Sequence, residues 1–207
     1  MTMVQAEELG PGYRRAVSDP IALFLAARAA AAPTETWEAS SGVLATADPS
    51  GRPSARFVLV KEVDAEGFWI YTNYESRKAR ELDANPFAAL SFHWPSTHVQ
   101  FRIEGRVERA SDARSDAYFA SRPRLSQLGA WASVQSRPIA SRQELLDRLA
   151  AEEARHAGAP VPRPPSWGGY RLVPSAIEHW VEGEHRLHDR FLYVRTGDAW
   201  SVTRLSP

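Results

Sequence analysis

The 207-residue sequence contains no cysteine, which excludes disulfides, thiolate catalysis, iron–sulfur clusters and cysteine-ligated zinc. It also lacks a long apolar run. The stretch 21–32 is short and interrupted by Arg28, and the N-terminal residues show no apolar segment like that of a signal peptide. These features predict a cytoplasmic protein with no membrane partner. The length favours one domain with a substantial core.

Net charge is also absent, because 25 basic residues balance 25 acidic ones. A neutral chain has no general attraction for nucleic acid, so we expect no nucleic-acid partner. Abundant arginine and seven tryptophans are compatible with base stacking. The tryptophans are scattered among apolar segments, however, which favours a role in core packing. Any anion site must therefore be local.

Lysine is scarce, since Lys61 and Lys78 are the only two among 25 basic residues. The lysine ammonium is a compact point charge, so in a chain that otherwise uses arginine we expect a lysine where such a charge contacts an anion. The alternative is that both lysines are surface residues retained by chance.

The pattern along the chain predicts a mainly β protein with flanking helices, of the α+β class. Residues 1–18 are expected to be a mobile arm, and Asp19 and Pro20 to begin a helix that ends near Ala32. Five short segments rich in β-branched and aromatic residues predict an antiparallel barrel or sandwich: 42–48, 55–63, 67–73, 88–94 and 98–108. Later segments predict helices at 76–84, 112–120 and 142–156, an extended linker at 158–169, and strands at GYRLV, AIEHWV, RFLYVR and AWSVTRL.

The helix at 76–84 begins with Arg77 and Lys78, directly after the capping residue Ser76. Cations are unfavourable at a helix N-terminus unless an anion binds there, so this segment predicts a phosphate site. The alternative is that both side chains extend into water and pair with Glu75 or Glu81.

Two other segments combine cations with polar groups. A cation stands at each end of the apolar strand from Arg56 to Lys61, and strand periodicity places the two on opposite faces unless a bulge intervenes. Guanidinium and hydroxyl groups recur at Tyr118, Arg122 and Ser126, and they suit phosphate oxygens. The alternatives are cations that snorkel at the sheet rim, and side chains that cap helices and turns.

The segment GEHRLHDR is the densest cluster of charge. If its second half is a strand, Arg186, His188 and Arg190 share one face that suits a planar anion. Surface ion pairs with Glu184 and Asp189 are the alternative. We reject a metal site, because the interleaved arginines would repel a divalent cation. No motif for nucleotide hydrolysis or serine catalysis is present, so the residues alone predict two phosphorylated ligands on a β-barrel.

In order and spacing these segments resemble the pyridoxamine/pyridoxine 5'-phosphate oxidases, flavoenzymes that make pyridoxal 5'-phosphate. The resemblance runs from about Asp19 to Pro207 and includes YTNYESRKARELDANP, YFASRPRLSQLGAWASVQS and GEHRLHDRFLY. It implies an antiparallel split β-barrel domain over 19–207 that forms a homodimer with FMN at the interface. The implied reaction oxidises pyridoxine and pyridoxamine 5'-phosphates with O₂ and yields H₂O₂.

The resemblance also implies roles for individual positions. The FMN contacts would be Arg56, Phe57, Val58, Leu59, Val60, Lys61, Tyr71, Thr72, Arg77, Lys78, Gln100, Gln135, Ser136, Trp180 and Arg190. The substrate phosphate would meet Lys61, Tyr118, Arg122 and Ser126. Arg186 and His188 would bind the substrate ring and act as the catalytic residues, and no metal is implied.

The sequence departs from the family pattern at three places. One of them, Ser41-Gly42 in place of a more apolar entry to the first barrel strand, concerns packing. Val181 stands where Gln usually follows the interface Trp, and the arm at 1–18 offers only Tyr13, Arg14 and Arg15 in place of the usual Arg and Tyr pattern. Two other functions are compatible with the same fold: a flavin oxidase of phenazine-type precursors, and a module that binds FMN or pyridoxal phosphate without turnover. The presence of all four substrate-phosphate positions argues against both.

Overall fold

The computed structural model describes residues 19–207; the predicted arm at 1–18 lies outside the described residues. The strands are β1 (Ser41–Ala47), β2 (Pro53–Leu59), β3 (Glu62–Asp64), β4 (Gly67–Asn73), β5 (Phe87–Trp94), β6 (Val99–Arg109), β7 (Trp167–Val181), β8 (Asp189–Thr196) and β9 (Ala199–Leu205). The helices are α1 (Pro20–Ala31), α2 (Arg77–Ala84), α3 (Asp112–Ser121), α4 (Arg124–Ala132) and α5 (Arg142–Arg155). None of these helices is long and apolar enough to cross a bilayer.

All strand pairings are antiparallel and join the strands into one curled sheet in the order β2-β1-β5-β6-β7-β4-β3, with β8 and β9 continuing from β7. Strand β7 organises this sheet. Its first half pairs with β4 and its second half with β8, while β6 runs along both halves. The register shifts at Gly105, where an added Cβ would lie 2.0 Å from the Val173 carbonyl oxygen, so only glycine fits this close approach.

Helix α1 packs against the core through Phe24. The Asp19 side chain accepts hydrogen bonds from the first turn, and Pro20 occupies the first helical position, as predicted. The fully buried Phe24 ring contacts Phe68 at 5.0 Å and Phe92 at 4.8 Å between ring centroids, both edge to face. These aromatic contacts tie α1 to strands β4 and β5.

The structure differs from the predicted elements in three places. The segment predicted as one strand at 55–63 is two strands, because after Leu59 the backbone turns to bond Ser40 and then Trp69. Helix α4 is absent from the predicted elements, and Pro123 directly precedes it. The predicted strands GYRLV and AIEHWV are continuous as β7, with Pro174 opposite the register shift.

Phe24→Ala should destabilise the protein by about 3–5 kcal/mol, because it opens a cavity among rings that cannot close around alanine. Urea unfolding followed by tryptophan fluorescence measures the loss. Phe87 is 58% exposed, and Phe87→Ala serves as the control with a loss below about 1 kcal/mol. Similar losses for both variants would contradict a core centred on Phe24.

Candidate active site

A cleft of about 500 Å³ opens where the end of β2, strand β4 and the α3–α4 junction meet. It brings together eleven of the predicted ligand positions: Phe57, Val58, Leu59, Lys61, Tyr71, Thr72, Lys78, Tyr118, Arg122, Ser126 and Gln135. Ile70, Ser121, Pro123 and Trp167 complete the lining and were not predicted. Six separate stretches of sequence thus converge on one concave surface, as a ligand site requires.

One wall of the cleft is a stack of aromatic rings. Tyr71 and Tyr118 lie parallel with centroids 3.6 Å apart, and Trp167 lies parallel to Tyr118 at 6.2 Å. The Tyr71 hydroxyl donates to Glu62 at 2.9 Å, and burial together with this contact raises the Tyr71 pKa to about 12. The phenol is therefore neutral at physiological pH, and the wall is a rigid, uncharged surface.

Arg122 lies against this wall with a donor that no other described residue uses. Its guanidinium carbon is 4.6 Å from the Trp167 ring centroid, and burial lowers its pKa. Its Nη1 is buried and has no hydrogen-bond partner among residues 19–207. A buried guanidinium nitrogen without a partner is costly, so its placement in the cleft wall points to an anionic ligand.

Lys78 supplies a second buried cation. It is 9% exposed, and its Nζ donates to Thr72 Oγ1 at 3.0 Å and to Ser76 Oγ at 3.4 Å, while Thr72 donates to Gln135. No carboxylate of the described chain forms an ion pair with Lys78. Burial, followed by repulsion from Arg56, lowers its pKa to about 8.

The pairing alternative for the start of α2 therefore holds for only one of its two cations. Arg77 pairs with Glu81 at 2.8 Å, one helical turn away, whereas Lys78 points into the cleft. The Ser76 side chain caps α2 by accepting from Ala79 N, as predicted. Buried positive charge thus accumulates at a helix N-terminus, where it is least favourable without an anion.

Arg56 and Lys61 point in different directions. Arg56 donates to Thr46 at 2.6 Å and lies 3.3 Å from Glu81, and contrary to its predicted role it does not line the cleft. Lys61 lines the cleft and pairs at 3.0 Å with Glu38, in the connector before β1. Both partners of the second pair are partly exposed, so this contact can open at little cost.

Val60 and Arg77, like Arg56, do not line the cleft. Five other predicted positions, Gln100, Trp180, Arg186, His188 and Arg190, form a second group around the end of β7. In the strand pairing Gln100 faces Trp180, and Trp180 faces Arg190. The Trp180 and His188 rings are 4.5 Å apart. Along the strand Trp180 is twelve residues from Gly168, the partner of Thr72, which corresponds to a path of up to about 40 Å. None of the second group lines the cleft of its own chain.

The predicted strand face at 186–190 is wrong. Glu184–Arg186 forms a single 3-10 turn, and β8 begins only at Asp189. His185 and Arg186 adopt positive φ values of 54° and 64°, which breaks the alternation that the prediction assumed. The ion pairs also differ from the alternative, since Arg190 pairs with Glu178 and Asp189 with Arg204. Ser136, with φ 68°, adjoins the cleft residue Gln135 but faces a separate small pocket.

Comparison with known proteins assigns the chain to a protein family. The profile described as pyridoxamine 5'-phosphate oxidase matches residues 30–156. The chain is 54% identical over 192 residues to the pyridoxine/pyridoxamine 5'-phosphate oxidase of Anaeromyxobacter dehalogenans, which covers 93% of this chain and 97% of that protein. It is 58% identical to the protein of the same name from Rubrobacter xylanophilus, with coverage of 83% and 79%. The chain belongs to the pyridoxamine 5'-phosphate oxidase family.

Solved structures confirm the predicted fold of this family member. PhzG of Burkholderia lata, solved in complex with tetrahydrophenazine-1-carboxylic acid, superposes with a TM-score of 0.86 at 33% identity and covers 92% of this chain and 93% of its own. A pyridoxamine 5'-phosphate oxidase-related, FMN-binding protein of Nostoc punctiforme superposes with a TM-score of 0.73 at 21% identity, with coverage of 91% and 98%. A second profile, described as the pyridoxine 5'-phosphate oxidase C-terminal dimerisation region, matches residues 167–207. That region carries Trp180, Arg186, His188 and Arg190.

Lys78→Met should stabilise the ligand-free protein at pH 7. The folded pKa near 8 lies below the 10.5 of an unperturbed lysine, so the charged amine costs stability below pH 8, and this cost disappears as the pH rises to 10.5. The difference corresponds to a gain of up to about 3 kcal/mol at pH 7. Urea unfolding at pH 7 and pH 9.5 tests both the gain and its decrease.

Lys61→Met is the matched control, because Lys61 is partly exposed and keeps a carboxylate partner. It should bring no comparable gain. Destabilisation by Lys78→Met at pH 7 would contradict the assignment of Lys78 as a buried charge without a counter-ion.

Proposed function

We propose that the protein is an FMN-dependent oxidase that converts pyridoxine 5'-phosphate and pyridoxamine 5'-phosphate to pyridoxal 5'-phosphate and reduces O₂ to H₂O₂. The observation that carries this proposal is a pair of cations in one cleft, the buried Lys78 and the half-buried Arg122 with its buried Nη1, neither of which has a carboxylate partner among residues 19–207. Two phosphorylated ligands would supply the two missing negative charges. Relatives more than 50% identical carry the name of this activity.

The residues of the cleft fit FMN. A phosphate at the start of α2 would meet Arg77 and Lys78, close to Arg56, and would offset the burial and the repulsion from Arg56 that together lower the Lys78 pKa. The remaining cofactor contacts on this side would come from the end of β2, from β4 and from the segment after α4, namely Phe57, Val58, Leu59, Val60, Lys61, Tyr71, Thr72, Gln135 and Ser136. Apolar side chains beside a few fixed polar groups suit a flat ring system.

The substrate phosphate would bind Lys61, Tyr118, Arg122 and Ser126. Arg122 Nη1 offers a buried donor without a competing partner, and the stacked Tyr71 ring holds Tyr118 in place. Glu38 would release Lys61 when the phosphate arrives, because a dianion is the stronger partner for an ammonium. Anchoring through the phosphate uses binding energy remote from the reacting carbon to orient the ring.

A second copy of the chain would complete the site. The cofactor positions Gln100, Trp180 and Arg190, with the catalytic positions Arg186 and His188, lie at the far end of β7 from their own cleft. A twofold arrangement brings this end of one chain to the cleft of the other. The match of residues 167–207 to a dimerisation region supports a homodimer with FMN at the interface.

FMN, when bound, supplies the redox chemistry by accepting a hydride from the substrate and passing the electrons to O₂. The chain supplies orientation and polar contacts. His188 Nδ1 accepts a hydrogen bond from the Gly183 N–H at 3.2 Å, so the neutral ring carries its proton on Nε2 and presents a donor to the substrate. The turn at 184–186 fixes the backbone of Arg186, whose guanidinium would hold the substrate ring against the cofactor.

Purified protein should be yellow and should convert both phosphate esters under air. Pyridoxal phosphate is followed by its absorbance and H₂O₂ by a peroxidase-coupled assay, and unphosphorylated pyridoxine serves as the control that the phosphate sites should discriminate against. A yellow but inert protein would indicate a binding module. Turnover of a dihydrophenazine alone would favour the alternative of phenazine-type oxidation.

Arg186→Ala should lower the rate of oxidation by tenfold or more, on the order of the loss of one charge-assisted contact, while the bound FMN content changes little. The reason is that Arg186 is assigned to the substrate and not to the cofactor. The ratio of flavin absorbance to protein absorbance measures FMN content beside the steady-state rate. Equal loss of FMN and of activity would contradict the role assigned to Arg186.

A further inference from the structure

We propose that Glu81 is a positioning residue for the cofactor phosphate, one that orients Arg56 and Arg77 and sets the net charge of the phosphate site. This inference rests on the proposed FMN site. Glu81 does not line the cleft, and its action passes through the two arginines that it holds.

Glu81 is the point at which three elements meet. Its Oε1 accepts from Arg77 Nε at 2.8 Å on the same helix. Its Oε2 accepts from Thr46 at 2.5 Å on β1, from Ser54 at 2.6 Å on β2, and from Arg56 at 3.3 Å on β2. A single carboxylate thus fixes α2 against the two strands that carry and support Arg56.

Glu81 is more buried and accepts more hydrogen bonds than a carboxylate in an ordinary helix ion pair. Pairs four residues apart on a helix surface are usually solvated and worth a few tenths of a kcal/mol. Glu81 is 6% exposed and receives two hydroxyl donors from different strands in addition to its helix partner. Burial by itself raises its pKa, but the bonds from Ser54, Thr46 and Arg77 lower it to about 2. The carboxylate is therefore ionised at every pH at which an enzyme works.

The way Glu81 holds Arg77 leaves the right atoms available. It bonds Nε, and among residues 19–207 the terminal Nη1 and Nη2 of Arg77 form no hydrogen bond. These two nitrogens form the planar fork that matches two phosphate oxygens. Arg56 is held more fully, because its terminal nitrogens donate to Leu44, Thr46 and Ser54 as well as to Glu81.

Glu81 also sets the net charge of the phosphate site. Three cations, Arg56, Arg77 and Lys78, stand against one carboxylate, which leaves two positive charges. A phosphate monoester carries close to two negative charges at neutral pH. The site with Glu81 is thus matched to a dianion, whereas without it the three cations would repel one another more strongly in the cofactor-free protein.

Glu81→Gln tests the proposal, because the amide keeps the shape but offers one acceptor atom where the carboxylate has two. At least one of the four donors then faces an NH₂ group, and the arginines lose their fixed orientation. We expect the Kd for FMN to rise about 10- to 100-fold, the range for lost hydrogen bonds to a charged group. Riboflavin lacks the phosphate, so its Kd should change less than about threefold.

The experiment titrates flavin fluorescence quenching with full-length cofactor-free protein, using FMN and riboflavin in parallel. Glu75→Gln is the matched control, because this substitution also removes one negative charge. Glu75 is exposed just before the N-terminus of α2, and its carboxylate bonds neither Arg56 nor Arg77. It should leave both affinities within about twofold of wild type. If Glu81→Gln does not fold, Ser54→Ala removes one donor to Glu81 and should weaken FMN selectively by about threefold.

Selective loss of FMN affinity supports the proposal. Equal losses of affinity for FMN and riboflavin would show that Glu81 is a purely structural residue and would overturn the proposal. Unchanged binding of FMN would overturn it as well. If wild-type protein binds FMN no more tightly than riboflavin, the phosphate site itself is absent, and the proposed function fails together with this inference.

Discussion

The proposed site depends on positive charge that is buried without a carboxylate partner among residues 19–207. Lys78 lies at a helix N-terminus, almost fully buried, with two hydroxyl groups as its only described partners. An isolated ammonium in such a position disfavours folding, so the surrounding core must be strong enough to hold it. That strength comes from the aromatic packing around Phe24 and from a sheet whose strands are all paired in one continuous network. A bound phosphate converts the unfavourable charge into a favourable contact.

The course of β7 supports the proposal that a second chain completes the site. One strand pairs with β4 beside the cleft and with β8 beside Trp180, so a rigid sheet holds the two groups of residues apart. Flexibility within one chain cannot bring them together without breaking the pairing with β6, which extends along nearly the whole strand. A twofold dimer would bring the two groups of residues together without deforming the sheet, because each copy carries both a cleft and the residues at the end of β7. A dimer of this kind forms two identical sites at once.

Local signals predicted the parts of the site that depend on neighbours in sequence. Ser76, Arg77 and Lys78 could be interpreted because capping and helix polarity act within one turn. The turn at 184–186 escaped prediction because two non-glycine residues take positive φ there, which no propensity favours. Trp167 and Glu81 were missed as site elements for another reason. Glu81 meets Thr46 across 35 residues, and only the pairing of β1 and β2 beside α2 creates that contact.

The two lysines of this arginine-rich chain differ in a way that fits two kinds of ligand. Lys78 is buried, and its compact ammonium donates to hydroxyl partners at 3.0 and 3.4 Å. A contact of this kind suits a cofactor that stays bound through many turnovers. Lys61 is partly exposed and already holds a carboxylate that an arriving phosphate can displace. An exchangeable partner in a more solvated position suits a substrate that must enter and leave in every cycle.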